Sequence, residues 1–302
     1  MPRFSEIGDS TAVNNRYADK VVVYVEAEDD ITAFYGITGK SIREYLEFLE
    51  PRKIGGGAES VITQVRADRT TNPKVFGLVD GEAAATFGGT DQLIDCTDRF
   101  FQLNDPELDG VVFLAEYEME NILLLYGDLP ELMRRDIPFR KFDAFSLEDA
   151  QTHIEKTAQL FFLAALLKFA SITFHRRAYQ KGQPGCRTID SGRFQRRADP
   201  VKILAEIRRD VEAESLISWV ELKAEVRRSH HRLRTRLTAS GADHTTIQRE
   251  RLRLADGKAV LTRLKNDHSQ HGRWTSHLLR SIGGTAFSAL FRERLLAIMG
   301  AS

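Results

Sequence analysis

Short apolar runs that end in a carboxylate recur through the first half of the chain. Lys20-Val-Val-Val-Tyr-Val-Glu26 is rich in β-branched residues and lacks polar alternation, the pattern of a parallel strand buried on both faces. Val75-Phe-Gly-Leu-Val-Asp80 repeats it, and Val111-Val-Phe-Leu114 is a third such run, leading into Ala115 and Glu116. Helical patterns lie between them. Residues 29–35 open on acids suited to a helix N-terminus and set Ile31, Phe34 and Tyr35 on one side. Residues 41–49, stopped by Pro51, and residues 58–66, entered through Gly55-Gly56-Gly57, are expected to be helical, as are residues 119–126.

Strands alternating with helices predict an α/β fold, a mostly parallel sheet flanked by helices, over residues 1–145. From about residue 146 strand signals nearly vanish. Residues 147–170, 200–226 and 278–299 carry apolar positions at helical spacing, so residues 146–302 are expected to form a mainly helical C-terminal region. Residues 180–192, with three glycines and a proline, read as an exposed loop.

Charge changes this picture. The chain is neutral overall, yet residues 1–150 hold 15 Lys and Arg against 29 Asp and Glu, and the remainder holds 28 against 14. A basic half suits phosphates and an acidic half suits divalent cations; two domains that attract each other, or docking to a partner protein, fit the same segregation. Two cysteines, Cys96 and Cys186, with no CxxC, argue against a disulfide framework or a structural zinc site and point to a reducing, cytoplasmic compartment. The most apolar run, Leu160 to Leu167, is about half of the roughly 20 residues that a membrane span needs.

In an open parallel sheet, functional residues collect at the carboxyl ends of the strands, where Glu26, Asp80 and Glu116 all fall. Carboxylates gathered at one rim repel one another, so they persist as solvated surface or because a divalent cation neutralises them. In Asp80-Gly81-Glu82 the central Gly allows two acids to turn toward one cation, and Asp30, four residues past Glu26, is a further candidate ligand.

The ordered pair, a strand-end Glu26 followed some fifty residues later by strand-end Asp80-Gly-Glu82, resembles the TOPRIM signature. Glu120-Asn121-Ile-Leu-Leu after the third strand is similar to the DUF4435 group within that superfamily. This group is related to the overcoming-lysogenization-defect nucleases and to the effector nucleases of PARIS antiphage systems. The resemblance covers residues 18 to 126. It implies a TOPRIM-like domain and a nuclease using Mg²⁺, or Mn²⁺, with Glu26 as ligand or general base and Asp80 and Glu82 as ligands. It further implies cleavage of RNA, tRNA included, ahead of DNA, restraint by an ABC-type ATPase partner, and a homodimer when active. Two departures stand out: Ala27 replaces the Gly usual after the first Glu, and Glu82 is one methylene longer than the usual Asp. Glu118 and Glu120 are candidates for a second metal, while Glu120 equally suits the helix start.

Among basic segments, Arg227-Arg228-Ser-His-His-Arg232-Leu-Arg-Thr-Arg236 is the densest and suits phosphate contact; a solvated helix face or a contact with acidic residues suits it as well. Adjacent His230 and His231 lack metal-site spacing. Lys258 fits the late lysine that such nucleases set against the scissile phosphate, although an ordinary turn lysine is the commoner meaning of such a position. Lys53 is a further candidate for phosphate contact, before a glycine triplet that lacks the P-loop arrangement.

Overall fold

A computed structural model describes residues 20–52, 56–135, 145–183, 188–189, 194, 200–214, 217–267 and 274–301. These residues form two compact units that interleave along the chain. The first takes residues up to Asp80 together with Asp98–Leu114 and the segment from Ile282, and the second takes Gly81–Thr97 and Ala115–Ser281.

The first unit holds the sheet. Strands β1 (Val21–Tyr24), β2 (Leu46–Leu49), β3 (Val75–Val79), β4 (Phe100–Phe101) and β5 (Val111–Leu114) lie in the order β2-β1-β3-β5-β4. All neighbours are parallel except the β4–β5 edge pair. The expected runs at β1, β3 and β5 are strands, and their fully apolar sequences are buried along almost their whole length, as strands covered on both faces require. Residues 41–49 depart from the helix expected of them. A 3₁₀ turn, Lys40–Glu44, is followed by β2, whose buried Leu46 and Phe48 alternate with half-buried neighbours as at a sheet edge. A period of two over four residues is too short to compete with the helical pattern of the longer window, and pairing with β1 decides it.

Helix α1 (Glu28–Thr38) follows β1, and α2 (Ala58–Arg69) packs on β3 and β1. Gly77, at the middle of β3, makes that packing possible. A Cβ there would lie 2.7 Å from a Val61 methyl and 3.0 Å from a Val65 methyl. The last helix of the chain, α13 (Ala286–Ile298), returns to this unit. It stacks Phe291 on Phe34, sets it edge-on to Phe100, and donates the Ser288 hydroxyl to the carbonyl of Ile37 at the end of α1.

The second unit is helical. It contains α3 (Gly81–Thr86), α4 (Thr90–Asp95), α5 (Met119–Tyr126), α6 (Leu129–Arg135), α7 (Leu147–Gln180), α8 (Pro200–Glu214), α9 (Trp219–Ala239), α10 (His244–Leu254), α11 (Gly257–Asp267) and α12 (Trp274–Ile282). The 34-residue α7 is its spine, packed by α3, α6, α9, α10 and α11. Ser146 starts it, accepting from Asp149 N–H while its own amide donates to the Asp149 carboxylate. This helix is long and apolar enough to cross a membrane by length and composition, but 61% of its most apolar window is buried inside the protein, as in a core helix.

Candidate functional site

The strand order puts a topological switch point between β1 and β3. From β1 the chain runs outward to β2 on one side, then returns to place β3 on the other. At such a point the connections diverge and open a crevice at the carboxyl ends of the two strands. Glu26 and Asp80 leave those ends. Asp80 N–H donates to Glu26 Oε1 at 3.3 Å, so the two expected residues are brought together. The other oxygen, Oε2, faces the start of α2, 3.8 Å from where a Cβ on Gly57 would stand. Gly57 is the N-cap of α2, with φ of 85°, and the exposed amides of that helix end place partial positive charge near the carboxylate.

Asp30 is engaged nearby in holding a helix start, its carboxylate accepting Ala27 N–H at 3.1 Å. Lys53 lies outside the described residues.

In the second unit, a separate acidic group surrounds Tyr117. Glu82 is half-buried and meets Lys168 of α7, whose ammonium stands 2.6 Å from Oε2 and 5.7 Å from the Tyr117 ring centre. Burial opposes the charge on Lys168, but Glu82 and then Asp256 and Glu118 hold its pKa above the ordinary lysine value. Glu118 is buried, and its Oε2 accepts the backbone N–H of Lys258 at 2.9 Å. Burial, followed by the charges of Asp256 and Glu82, pushes its pKa up to about 8. The Tyr117 hydroxyl is raised well above its ordinary value by burial and then by Glu82.

Asn121 makes the scaffold of this group. Fully buried, it accepts Glu118 N–H at 2.8 Å and donates to the carbonyls of Leu252 (2.6 Å) and Ala255 (2.9 Å), fastening the α10–α11 turn to the start of α5. The turn must approach closely, since a Cβ on Gly257 would stand 2.6 Å from Asn121 Oδ1. Asp256 caps α11 by accepting Ala259 N–H at 2.7 Å. Buried Arg253 completes the bracing, donating to the carbonyls of Ala115, Leu93 and Ile94. Thus Asn121 and Lys258, read separately in the sequence, belong to one structural knot, while Glu120 lies in the first turn of α5 and adds to the charge that raises the Glu118 pKa. Lys258 contributes a backbone amide there, and the lysine paired with Glu82, in the first turn of α3, is Lys168.

Glu116 is fully buried rather than placed at a solvated rim, and its carbonyl accepts Gly81 N–H at 3.1 Å. Of the basic run, Arg227 is exposed, Arg228 pairs with Glu225 and Asp91, and Arg232 pairs with Asp91 and Asp95 of α4. The contact with acidic residues that the sequence left open is therefore the arrangement found for Arg228 and Arg232.

Lys168 and Tyr117 carried no motif. The available signal was a single lysine inside the apolar stretch of α7, because a cation at such a position demands a partner.

No family model matches the chain, and no curated protein matches it.

Among the described residues, no three His, Cys, Asp or Glu side chains are disposed to form a metal cage. The chemistry of Glu26 and Asp80 still fits Mg²⁺. This ion keeps most of its water and is commonly held by one or two carboxylates, with substrate oxygens completing the shell.

Proposed function

We propose that the chain is a cytoplasmic Mg²⁺-dependent nuclease of TOPRIM type, the toxic effector of an antiphage system. The observation that carries the proposal is the pairing of Glu26 with Asp80 at the switch point of the sheet. Glu26 and Asp80 would hold the ion, with Glu82 next along the chain as the remaining acid of the resemblance. When bound, Mg²⁺ supplies charge neutralisation at the scissile phosphate and lowers the pKa of a water. The chain's own share is to fix Glu26 through the Asp80 amide, with Oε2 facing the start of α2. RNA is the preferred substrate and DNA the second. Restraint by an ATPase partner and activity as a released homodimer follow from the same resemblance.

A second reading, a catalytically silent module docked on an ATPase, is favoured by the Lys168–Glu82 ion pair, since an internal cation already neutralises one of the expected ligands. The deciding experiment incubates the isolated chain, and the chain released from its partner, with RNA and DNA in Mg²⁺ or Mn²⁺. Cleavage by wild type and none by Glu26→Ala supports the nuclease. No cleavage by either, or equal cleavage by both, leaves the silent module.

A further inference from the structure

Helices α9 and α10 carry arginines of two kinds. Arg228, Arg232 and Arg236 of α9 and Arg253 of α10 are all matched by carboxylates of this unit. Arg234 and Arg251 differ, for among the described residues neither has a carboxylate partner, and both line one cavity of about 370 Å³ between the two helices. Its floor is apolar, formed by Leu233, Leu237 and Ile247, and the His230 imidazole lies beside the two arginines. No acid lines it. Glu250 of α10 is engaged by Arg236 and Arg253, and Asp243 at the start of α10 by the amide of Thr246.

Two uncompensated guanidinium groups above an apolar floor define a ligand with two parts. Planar forks of N–H donors recognise phosphate oxygens, and their faces, like the imidazole of His230, stack on flat rings. The floor asks for an apolar face rather than a bare hydrated anion. The volume lies within the range of about 300–1,000 Å³ usual for small-ligand sites. Burial and then the charges of Arg251, Arg234 and His231 hold His230 below the usual imidazole range, consistent with a positive potential that a phosphate would relieve. We propose that this cavity binds one nucleotide, its phosphate on Arg234 and Arg251 and its base on the apolar floor beside His230. The nucleotide is either free in solution or one unit of a single strand; in the second case the site rests on the nuclease reading and grips substrate away from the cleaving carboxylates.

The test measures binding of AMP and of a short single-stranded oligoribonucleotide to the full chain carrying Glu26→Ala, in EDTA, so that the result does not depend on cleavage. Binding of either probe is expected to weaken by about tenfold or more in Arg234→Gln/Arg251→Gln and in Thr238→Trp, which fills the cavity from an exposed position, with folding checked by circular dichroism. Binding of AMP marks a free-nucleotide site, and binding of the oligonucleotide alone marks a strand subsite. The proposal is overturned if neither probe binds, if neither substitution weakens binding, or if inorganic phosphate or octyl phosphate competes as well as AMP. A nuclease that cleaves normally while these variants bind normally overturns the cavity and spares the Glu26–Asp80 reading.

Discussion

The two acidic groups of this protein handle negative charge in opposite ways. At the sheet, Glu26 is met by amide dipoles, the N–H of Asp80 and the start of α2, and both residues are half-buried at the carboxyl ends of their strands. Around Tyr117, acidity is absorbed internally, by Lys168 against Glu82 and by a proton retained on Glu118. Amide N–H groups orient the Glu26 carboxylate, which suits a residue that has to present an oxygen. A full counter-charge or a bound proton cancels a carboxylate's charge, so the second group is chiefly an element of structure.

That contrast can be broken most forcefully at Glu26. If it serves chemistry rather than stability, Glu26→Ala lowers the rate of phosphodiester cleavage by about 10³-fold. Thermal unfolding of the same variant should move little, within about 0.5 kcal/mol. A large loss of stability would place Glu26 with the structural group.

Asn121→Ala should be the most damaging change on the other side. It orphans the buried carbonyls of Leu252 and Ala255 and the amide of Glu118, at an expected loss of about 3 kcal/mol in denaturant unfolding.

Next comes Lys168→Met, which leaves Glu82 beside Tyr117 without its cation. Both partners are partly exposed, so the loss is expected near 2 kcal/mol, and adding Glu82→Gln should restore most of it. Failure of the second change to rescue would show that Lys168 acts through packing alone.

The smallest effect is one of pH. Glu118 titrates near 8 in the folded chain against an ordinary 4.5, so the folded state binds its proton more tightly. Its contribution to stability is therefore fully present below about 4.5 and is lost as pH rises toward about 8 and beyond. Glu118→Gln imitates the protonated form and keeps an acceptor for Lys258 N–H. The variant should flatten that decline and gain about 1 kcal/mol on wild type at the alkaline end.

Much of the fold was legible in the chain. Three unbroken apolar runs became β1, β3 and β5, because a strand covered on both faces has no place for polar residues, and the long apolar periods after residue 146 became helices. The strand β2 and the short β4 were not legible, since four and two residues carry too little pattern to outweigh their surroundings. The ends of the strands were readable too, so Glu26 and Asp80 could be named before their pairing was known.

The sequence by itself determined which residues are apolar, which acids end strands and where the basic residues cluster. All of these are properties of local order along a chain. Only tertiary structure decided that Lys168 meets Glu82 across 86 positions, that Asn121 fastens a turn more than 130 residues away, and that Arg232 is paired while Arg234 faces a cavity. Charge acts through distance in space, and the helix turns and crossovers that set those distances are settled by packing the whole core rather than by any single segment.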